Sequence, residues 1–175
     1  MLSVNQLVGF GVGVAVPLVL TQVTDYTGTT NIGNMTGSGG LAAAFDGTTS
    51  QAFGSGADRP GSNTTPAYIG KLWAASKIIG RFKIHDPSNE GHCSSGASVI
   101  PYLYGSNSAP ANPTDGTLLF TGPSQAYSIP EATYDTTDTN NITITTAYTY
   151  HWVTLTPSAS TGSIYLAEVI FWELI

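Results

Sequence analysis

Residues 78–85 read IIGRFKIH, and their side chains alternate between two faces of an extended chain. One face carries Ile78, Gly80, Phe82 and Ile84, and the other carries Ile79, Arg81, Lys83 and His85. A period of two residues is typical of a strand with one face towards a core. The stretch therefore predicts a half-buried β-strand.

Similar short segments follow along the chain, separated by turn residues. VIPYLYGSN (residues 99–107) and GTLLFTG (residues 116–122) each predict one strand. In NITITTAYTYHWVTLT (residues 141–156) the apolar residues change phase, which predicts a β-bulge or a turn between two strands. Residues 166–174 are apolar on both faces, so this strand is expected to be central and covered, or to meet another chain. Together these segments predict an all-β protein, an antiparallel β-sandwich.

The composition excludes several other classes. Of 175 residues, 41% are hydrophobic and only 9% are charged, and 20 Gly and 10 Pro interrupt the chain too often for a helical bundle. The net charge is −6, and all five Lys and Arg residues lie between Arg59 and Lys83. Because phosphate binding needs a basic surface, neither nucleic acid nor an anionic membrane is expected as a partner.

The N-terminus contains an uncharged apolar run, LVGFGVGVAVPLVL (residues 7–20). A membrane-spanning helix needs about 20 apolar residues, and no basic residue precedes the run as in a signal peptide. We expect residues 1–24 to be a docking arm that binds a neighbouring protein; a strand of the domain's own sheet and a leader are the alternatives. The predicted assembly contacts are Phe10, Val14, Leu18 and Trp172. Residues 25–40 are predicted to be a Gly/Thr/Asn linker, so that the domain spans residues 41–175.

Five motifs occur in an order that resembles a known family. They are LAAAFDGTTSQAF (residues 41–53), PAYIGKLWAASKIIGRFKI (residues 66–84), YLYGSN (residues 102–107), YHWVTL (residues 150–155) and AEVIFWEL (residues 167–174). The chain resembles the discoidin, or coagulation-factor type C, domain over about 135 residues, although Phe53 stands where the family usually has Trp. The resemblance implies a galactose-binding-like jelly-roll β-sandwich.

The resemblance also implies a calcium ion, as in many bacterial members of that family. Asp46, which opens an Asp-Gly turn, and Glu168 of the last strand would bind it together with Thr48, Thr49 and Ser50. Calcium requires six to eight hard oxygen ligands, which two carboxylates, hydroxyls and loop carbonyls can supply. The alternative is that Asp46 only shapes a tight turn and that Glu168 is an ordinary strand residue.

A sugar site needs an aromatic ring for the apolar face of a pyranose and polar groups for its hydroxyls. Trp73 and Tyr134 are the candidate rings. The candidate polar groups are Asp58, Arg59, His85, Asp86, Asn89 and His92. Each of these residues could instead serve packing or surface solvation, and His85, His92 and His151 lack the spacing of a zinc site.

Catalytic signatures are not found in the sequence. It contains neither a Gly-x-Ser-x-Gly elbow nor a phosphate-binding loop nor a His-Glu-x-x-His motif. Cys93 follows His92, yet no third group suggests an activated nucleophile, and we interpret it as a loop thiol. We predict a protein without enzymatic activity.

These observations lead to one functional hypothesis and two alternatives. The chain is expected to be a multi-copy phage or phage-like virion-surface protein, docked through residues 1–24 and binding host-surface glycan with the sandwich. One alternative is a purely structural decoration protein of the capsid or tail without a glycan site. The other is a secreted or cell-surface bacterial carbohydrate-binding module, which would need an export signal.

Overall fold

The computed structural model describes residues 19–37, 39–49, 57–59, 66–87, 93, 97–124, 146–158 and 163–175, with the backbone alone at 57–59. These residues form ten strands and one short 3-10 helix, Leu41–Phe45. The strands are β1 (Leu20–Gln22), β2 (Thr30–Gly33), β3 (Ala57–Arg59), β4 (Ala67–Lys77), β5 (Ile79–His85), β6 (Val99–Ser106), β7 (Thr117–Thr121), β8 (Tyr148–Pro157), β9 (Ile164–Leu166) and β10 (Glu168–Leu174). No described helix is long and apolar enough to cross a membrane.

The strands form three sheets, and every pairing in them is antiparallel. A five-stranded sheet has the order β2-β4-β8-β6-β7, a three-stranded sheet has the order β1-β10-β5, and β3 pairs with β9. The prediction of an all-β antiparallel sandwich is confirmed. The predicted central position of the last strand is confirmed as well, because β10 lies between β1 and β5.

The core lies between the two larger sheets. Phe82 and Ile84 of β5 are fully buried, as the alternation in residues 78–85 predicts, and they meet residues such as Ile69, Val153 and Phe171. The alternation fails at Ile79, which is also fully buried. A register shift between Trp172 and Glu173 of β10 lies beside Ile79 and accounts for the change of side.

The predicted phase change near Trp152 has a different physical origin. β8 pairs with β6 without a register shift from Tyr150 to Pro157, so the prediction of a bulge or turn is wrong for this part of the strand. Trp152 points to the outer face of its sheet but is fully buried. Its indole Nε1–H donates a hydrogen bond to the carbonyl of Pro113 at 2.7 Å, so the segment around Pro113 lies against the ring. The β6–β7 connection thus covers an outward aromatic residue. Both faces of β8 therefore carry apolar side chains, and the sequence pattern looks like a change of phase.

The sandwich begins earlier than the sequence pattern indicates. Leu20 to Gln22 form the edge strand β1, paired with β10, which corresponds to the alternative of a strand in the domain's own sheet. Thr30 to Gly33 form β2 and pair with β4, so the prediction that residues 25–40 lie outside the domain as a linker is wrong. The Gly and Thr content of this segment reflects a crossing between sheets, with Gly28 at a positive φ of 71°, a conformation that favours glycine. Residues 1–18 lie outside the described part of the chain.

Candidate functional site

The two ends of the sandwich differ in what they carry. At the loop end, β5 stops at His85, where β10 starts with Glu168. At the terminal end, Val19 and Ile175 exchange two backbone hydrogen bonds of 2.9 and 3.0 Å. β10 separates the two ends by about 20 Å, because six residues of strand advance roughly 3.3 Å each.

A small sheet at the loop end brings several predicted glycan positions together. Asp58 and Arg59 lie on β3 and pair with Tyr165 and Ile164 of β9. Cys93, the neighbour of His92 in the chain, also bridges to Ile164. Strand β9 therefore lies next to both β3 and Cys93, although residues 59 and 93 are more than 30 positions apart in the sequence.

Three of the predicted glycan residues are in the wrong place for a ligand. Trp73 is only 2% exposed and packs edge-on against Phe171 in the core, so the prediction of a sugar-stacking ring is wrong there. His85 and Asp86 lie at the loop end, but they are only 8% and 0% exposed, so the prediction that they contact sugar is wrong too. The sequence did not show that these residues are buried, because neither strand alternation nor a loop-like composition indicates how tightly the side chains are packed.

The remaining sequence predictions fall outside the described residues. These are Asn89, His92 and Tyr134 for glycan, Ser50 for calcium, and Phe10, Val14 and Leu18 for assembly. Trp172 is described: it is half-buried on the outward face of β10, and the guanidinium of Arg81 lies 4.6 Å from its ring centre. Cys93, predicted to be a loop thiol, is a fully buried member of the core.

The turn after the 3-10 helix brings two predicted calcium ligands close together. Asp46 Oδ1 accepts a hydrogen bond from the backbone N–H of Thr48 at 2.8 Å, which closes the turn. Glu168 Oε2 accepts one from the N–H of Gly47 at 3.3 Å. Burial and the charge of Asp46 raise the pKa of Glu168 to about 7, while the backbone N–H groups of Gly47 and Asp46 and the charge of Lys71 act in the opposite direction. The spatial pairing of residues 46 and 168, as the resemblance implies, is present.

A cavity of about 430 Å³ opens beside this turn. Its wall includes Asp46, Thr49 and Glu168 together with the rings of Tyr26 and Phe45. The oxygen donors on this wall suit calcium, which prefers carboxylate, hydroxyl and carbonyl ligands. No group of three His, Cys, Asp or Glu exists among the described residues, so an ion here would depend on hydroxyls and carbonyls besides two carboxylates.

A buried lysine near this cavity was not predicted from the sequence. Lys71 lies on the inward face of β4 and is 4% exposed. Its ammonium donates to Asn31 Oδ1 at 2.6 Å and lies 4.1 Å from the ring centre of Phe45 and 4.3 Å from that of Tyr26. Burial lowers the pKa of Lys71 to about 8, against the opposing effect of Glu168. The sequence does contain an indication of this lysine, because in the alternation Ile69-Lys71-Trp73 a charged residue interrupts an otherwise apolar face.

A second buried polar contact fixes the position of Trp73. Its Nε1–H donates to Nδ1 of His151 at 2.9 Å, and both residues are almost wholly inaccessible. Burial, together with the charge of Lys77, lowers the pKa of His151 to about 3. His151 is therefore neutral at pH 7, with its proton on Nε2, since Nδ1 accepts a bond. Trp73 and His151 serve the core rather than a ligand.

Comparison with known proteins bears on the fold. No protein-family model matches the sequence, and no curated protein matches it. Among solved structures, the family 32 carbohydrate-binding module of C. perfringens NanJ, in complex with galactose, matches with a TM-score of 0.59 at 10% identity, over 89% of this chain and 100% of that one. A Streptococcus pneumoniae fucose-binding module matches with a TM-score of 0.55 at 16% identity, over 87% and 95%.

The serum F-lectin of Morone saxatilis (striped bass) matches with a TM-score of 0.57 at 16% identity. That match covers 83% of this chain but only 46% of the lectin, so this chain spans about half of the lectin's length. Identities this low establish architecture and nothing finer. The chain adopts the galactose-binding-like β-sandwich fold of these carbohydrate-binding modules and lectins.

Proposed function

We propose that this protein is a carbohydrate-binding module without catalytic activity, and that it binds glycan at the loop end. The observation that carries the proposal is the convergence of β3, β9 and Cys93 at one end of a galactose-binding-like sandwich. This places Asp58 and Arg59 on a shared strand pair beside the start of the connection that holds Asn89 and His92. The galactose- and fucose-binding neighbours support a neutral sugar as ligand.

Asp58 and Arg59 have the chemistry that a sugar site needs. A carboxylate accepts hydrogen bonds from two sugar hydroxyls, and a guanidinium donates several in a fixed plane. Since Trp73 is buried, Tyr134 is the remaining candidate for the stacking ring. Asn89 and His92 complete the proposed set of polar contacts.

The finer part of the proposal concerns location. We place the protein in many copies on the surface of a phage or phage-like particle, with residues 1–18 bound to a neighbouring virion protein and the sandwich facing host-surface glycan. Residue 19 leaves the sandwich at the terminal end, about 20 Å from the start of β10 at the loop end. Docking and recognition could therefore occur together. The exposed side chains of Val19 and Ile175 and the half-buried Trp172 would add to the docking contact.

We also propose a structural calcium ion at the turn of residues 46–49. Asp46 and Glu168 would supply carboxylate oxygens, with Thr48, Thr49 and Ser50 as further oxygen donors. The ion would tie the 3-10 helix to the first residue of β10. Loss of thermal stability in EDTA that is restored by added calcium would support the ion, and identical melting curves in EDTA and calcium would contradict it.

A glycan array followed by calorimetry tests the main proposal. The wild-type chain should bind galactose- or fucose-containing glycans, and Arg59→Ala should weaken binding at least tenfold, because one charge-assisted hydrogen bond contributes about 1.5–3 kcal/mol. Lys83→Ala, a cation removed from β5 outside the proposed site, is the matched control and should bind like the wild type. An array without any binding would favour the purely structural decoration protein.

A deletion tests the location. Removing residues 1–18 leaves β1 intact and should give a folded domain that still binds glycan but no longer joins the particle. Unchanged incorporation into particles would overturn the docking arm. A mature secreted protein that lacks the apolar run would instead favour the bacterial carbohydrate-binding module.

A further inference from the structure

Lys71 occupies a position where the fold calls for an apolar side chain. It alternates on β4 with Ile69 and Trp73, which are 0% and 2% exposed, and it is itself only 4% exposed. Removing an ammonium from water is costly unless nearby groups compensate its charge. The identity of those groups indicates what the lysine does.

The ammonium is oriented towards the turn that carries Asp46. Its nearest partners are Asn31 Oδ1 and the rings of Tyr26 and Phe45, and Phe45 directly precedes Asp46 in the chain. These partners are dipolar or quadrupolar, so none of them cancels a full charge. Among the described residues, Glu168 is the carboxylate whose field acts on Lys71, although the two form no ion pair within 4.0 Å.

The carboxylate of Glu168 is also buried and also lacks a direct ion pair within the described part of the chain. Glu168 is 2% exposed, and it shares a cavity wall with the rings of Tyr26 and Phe45 that the Lys71 ammonium contacts, whereas Asp46 on the same wall is exposed to solvent. Charges in such surroundings interact with an effective dielectric constant of about 20, so the interaction extends beyond direct contact. An internal cation near a buried carboxylate lowers the free energy of both groups.

We propose that Lys71 is a built-in counter-ion for the buried Glu168, which stabilises the contact between Glu168 and the turn of residues 46–49 in the absence of metal and weakens the binding of calcium there. The first half of this inference stands without the calcium proposal, and the second half rests on it. Physically, the ammonium attracts the Glu168 carboxylate that a metal would use and repels the metal itself.

A double-mutant cycle in EDTA tests the first half. Lys71→Met and Glu168→Gln should each lower stability in urea unfolding, because each leaves a buried charge without its partner. The double variant should lose less stability than the two single losses added together. The difference should correspond to about a tenfold smaller unfolding constant than additivity predicts. The matched control combines Glu168→Gln with Lys77→Met. Lys77 lies on the same strand but binds Glu173 at the terminal end, so the two stability losses in this control should be additive.

Additivity within twofold for Lys71 and Glu168 would overturn the counter-ion. If Lys71→Met does not fold, Lys71→Gln removes the charge while keeping a donor for Asn31, and the same cycle applies. Because these measurements contain no metal, their outcome is independent of whether calcium binds.

A calcium titration by calorimetry tests the second half. Lys71→Met, or Lys71→Gln, should bind calcium at least about tenfold more tightly than the wild type, as expected for removing one like charge nearby. Lys77→Met should match the wild type. Equal affinities in all three proteins would overturn the effect of Lys71 on calcium. Absence of calcium binding in every variant would remove the calcium proposal and its dependent half, and the EDTA cycle would still decide the counter-ion.

Discussion

Replacing Trp73 with Phe should separate the role of this residue in the core from any role in binding. The change removes the indole N–H that donates to His151 Nδ1 and leaves that nitrogen buried without a donor. An unsatisfied buried acceptor costs about 1–3 kcal/mol. Trimming a fully buried indole to a phenyl ring adds a cavity term of about 1–2 kcal/mol. The expected loss in the free energy of unfolding is therefore about 3 kcal/mol.

The matched control is Trp172→Phe. Trp172 undergoes the same chemical change, but its side chain is half-buried on the outer face of β10, where the guanidinium of Arg81 lies over its ring. A contact of this kind contributes about 0.5–1 kcal/mol, so this variant should lose about 1 kcal/mol or less.

Urea unfolding followed by far-ultraviolet circular dichroism measures both variants without relying on tryptophan fluorescence. For a domain of this size, 1 kcal/mol corresponds to about 2–4 °C in Tm, so Trp73→Phe should melt about 6–12 °C below the wild type. Its affinity for glycan should stay unchanged, because Trp73 does not reach the surface. Equal stability losses at Trp73 and Trp172, or a loss of glycan binding without a loss of stability at Trp73, would refute the reasoning.

Three further predictions follow from the core. His151 has a folded pKa of about 3 against an ordinary 6.5, so the unfolded chain binds a proton there first, and the contribution of His151 to stability should fall as the pH drops from 6.5 towards 3. The raised pKa of Glu168 acts in the opposite direction between about 7 and 4.5, so the test is the difference in urea midpoint between the wild type and His151→Gln, which should shrink as the pH falls. Gly70→Ala should destabilise by about 3 kcal/mol or more, since its Cβ would collide with the backbone of His151, whereas Gly80→Ala meets only the movable side chains of Leu20 and Leu174 and should cost less, as chemical denaturation can show. The thiol of Cys93 is fully buried, so it should react with a disulfide reagent only upon unfolding; rapid labelling of the native protein would contradict this burial.

Strand periodicity was sufficient to predict the architecture. Alternation at Phe82 and Ile84 and the apolar character of residues 166–174 gave the sandwich and its central strand, because side chains in strands alternate regardless of their neighbours. The same reasoning failed at Ile79 and Trp152. There a register shift in β10 and a covering loop, respectively, determine burial, and neither leaves a local signal.

The site was only partly predictable. Asp46 and Glu168 were paired through a family resemblance, and the structure brings them together through the N–H of Gly47. Trp73 was misassigned because an aromatic residue on a strand looks the same in the core as at a binding surface. Lys71 was missed because its partners, Asn31 and Phe45, come from segments 40 and 26 positions away and meet only in the folded chain.

The pairing of Val19 with Ile175 has a practical consequence for engineering. Since these residues lie side by side on neighbouring strands, a peptide of a few residues could join position 175 to position 19, and the chain could be opened at another surface connection. A circularly permuted version opened in the β6–β7 connection would carry its new ends between Ser106 and Thr117. Tandem copies joined from position 175 of one copy to position 19 of the next would, for the same reason, all present β3 and β9 away from the junction, which makes the domain suited to multivalent arrays.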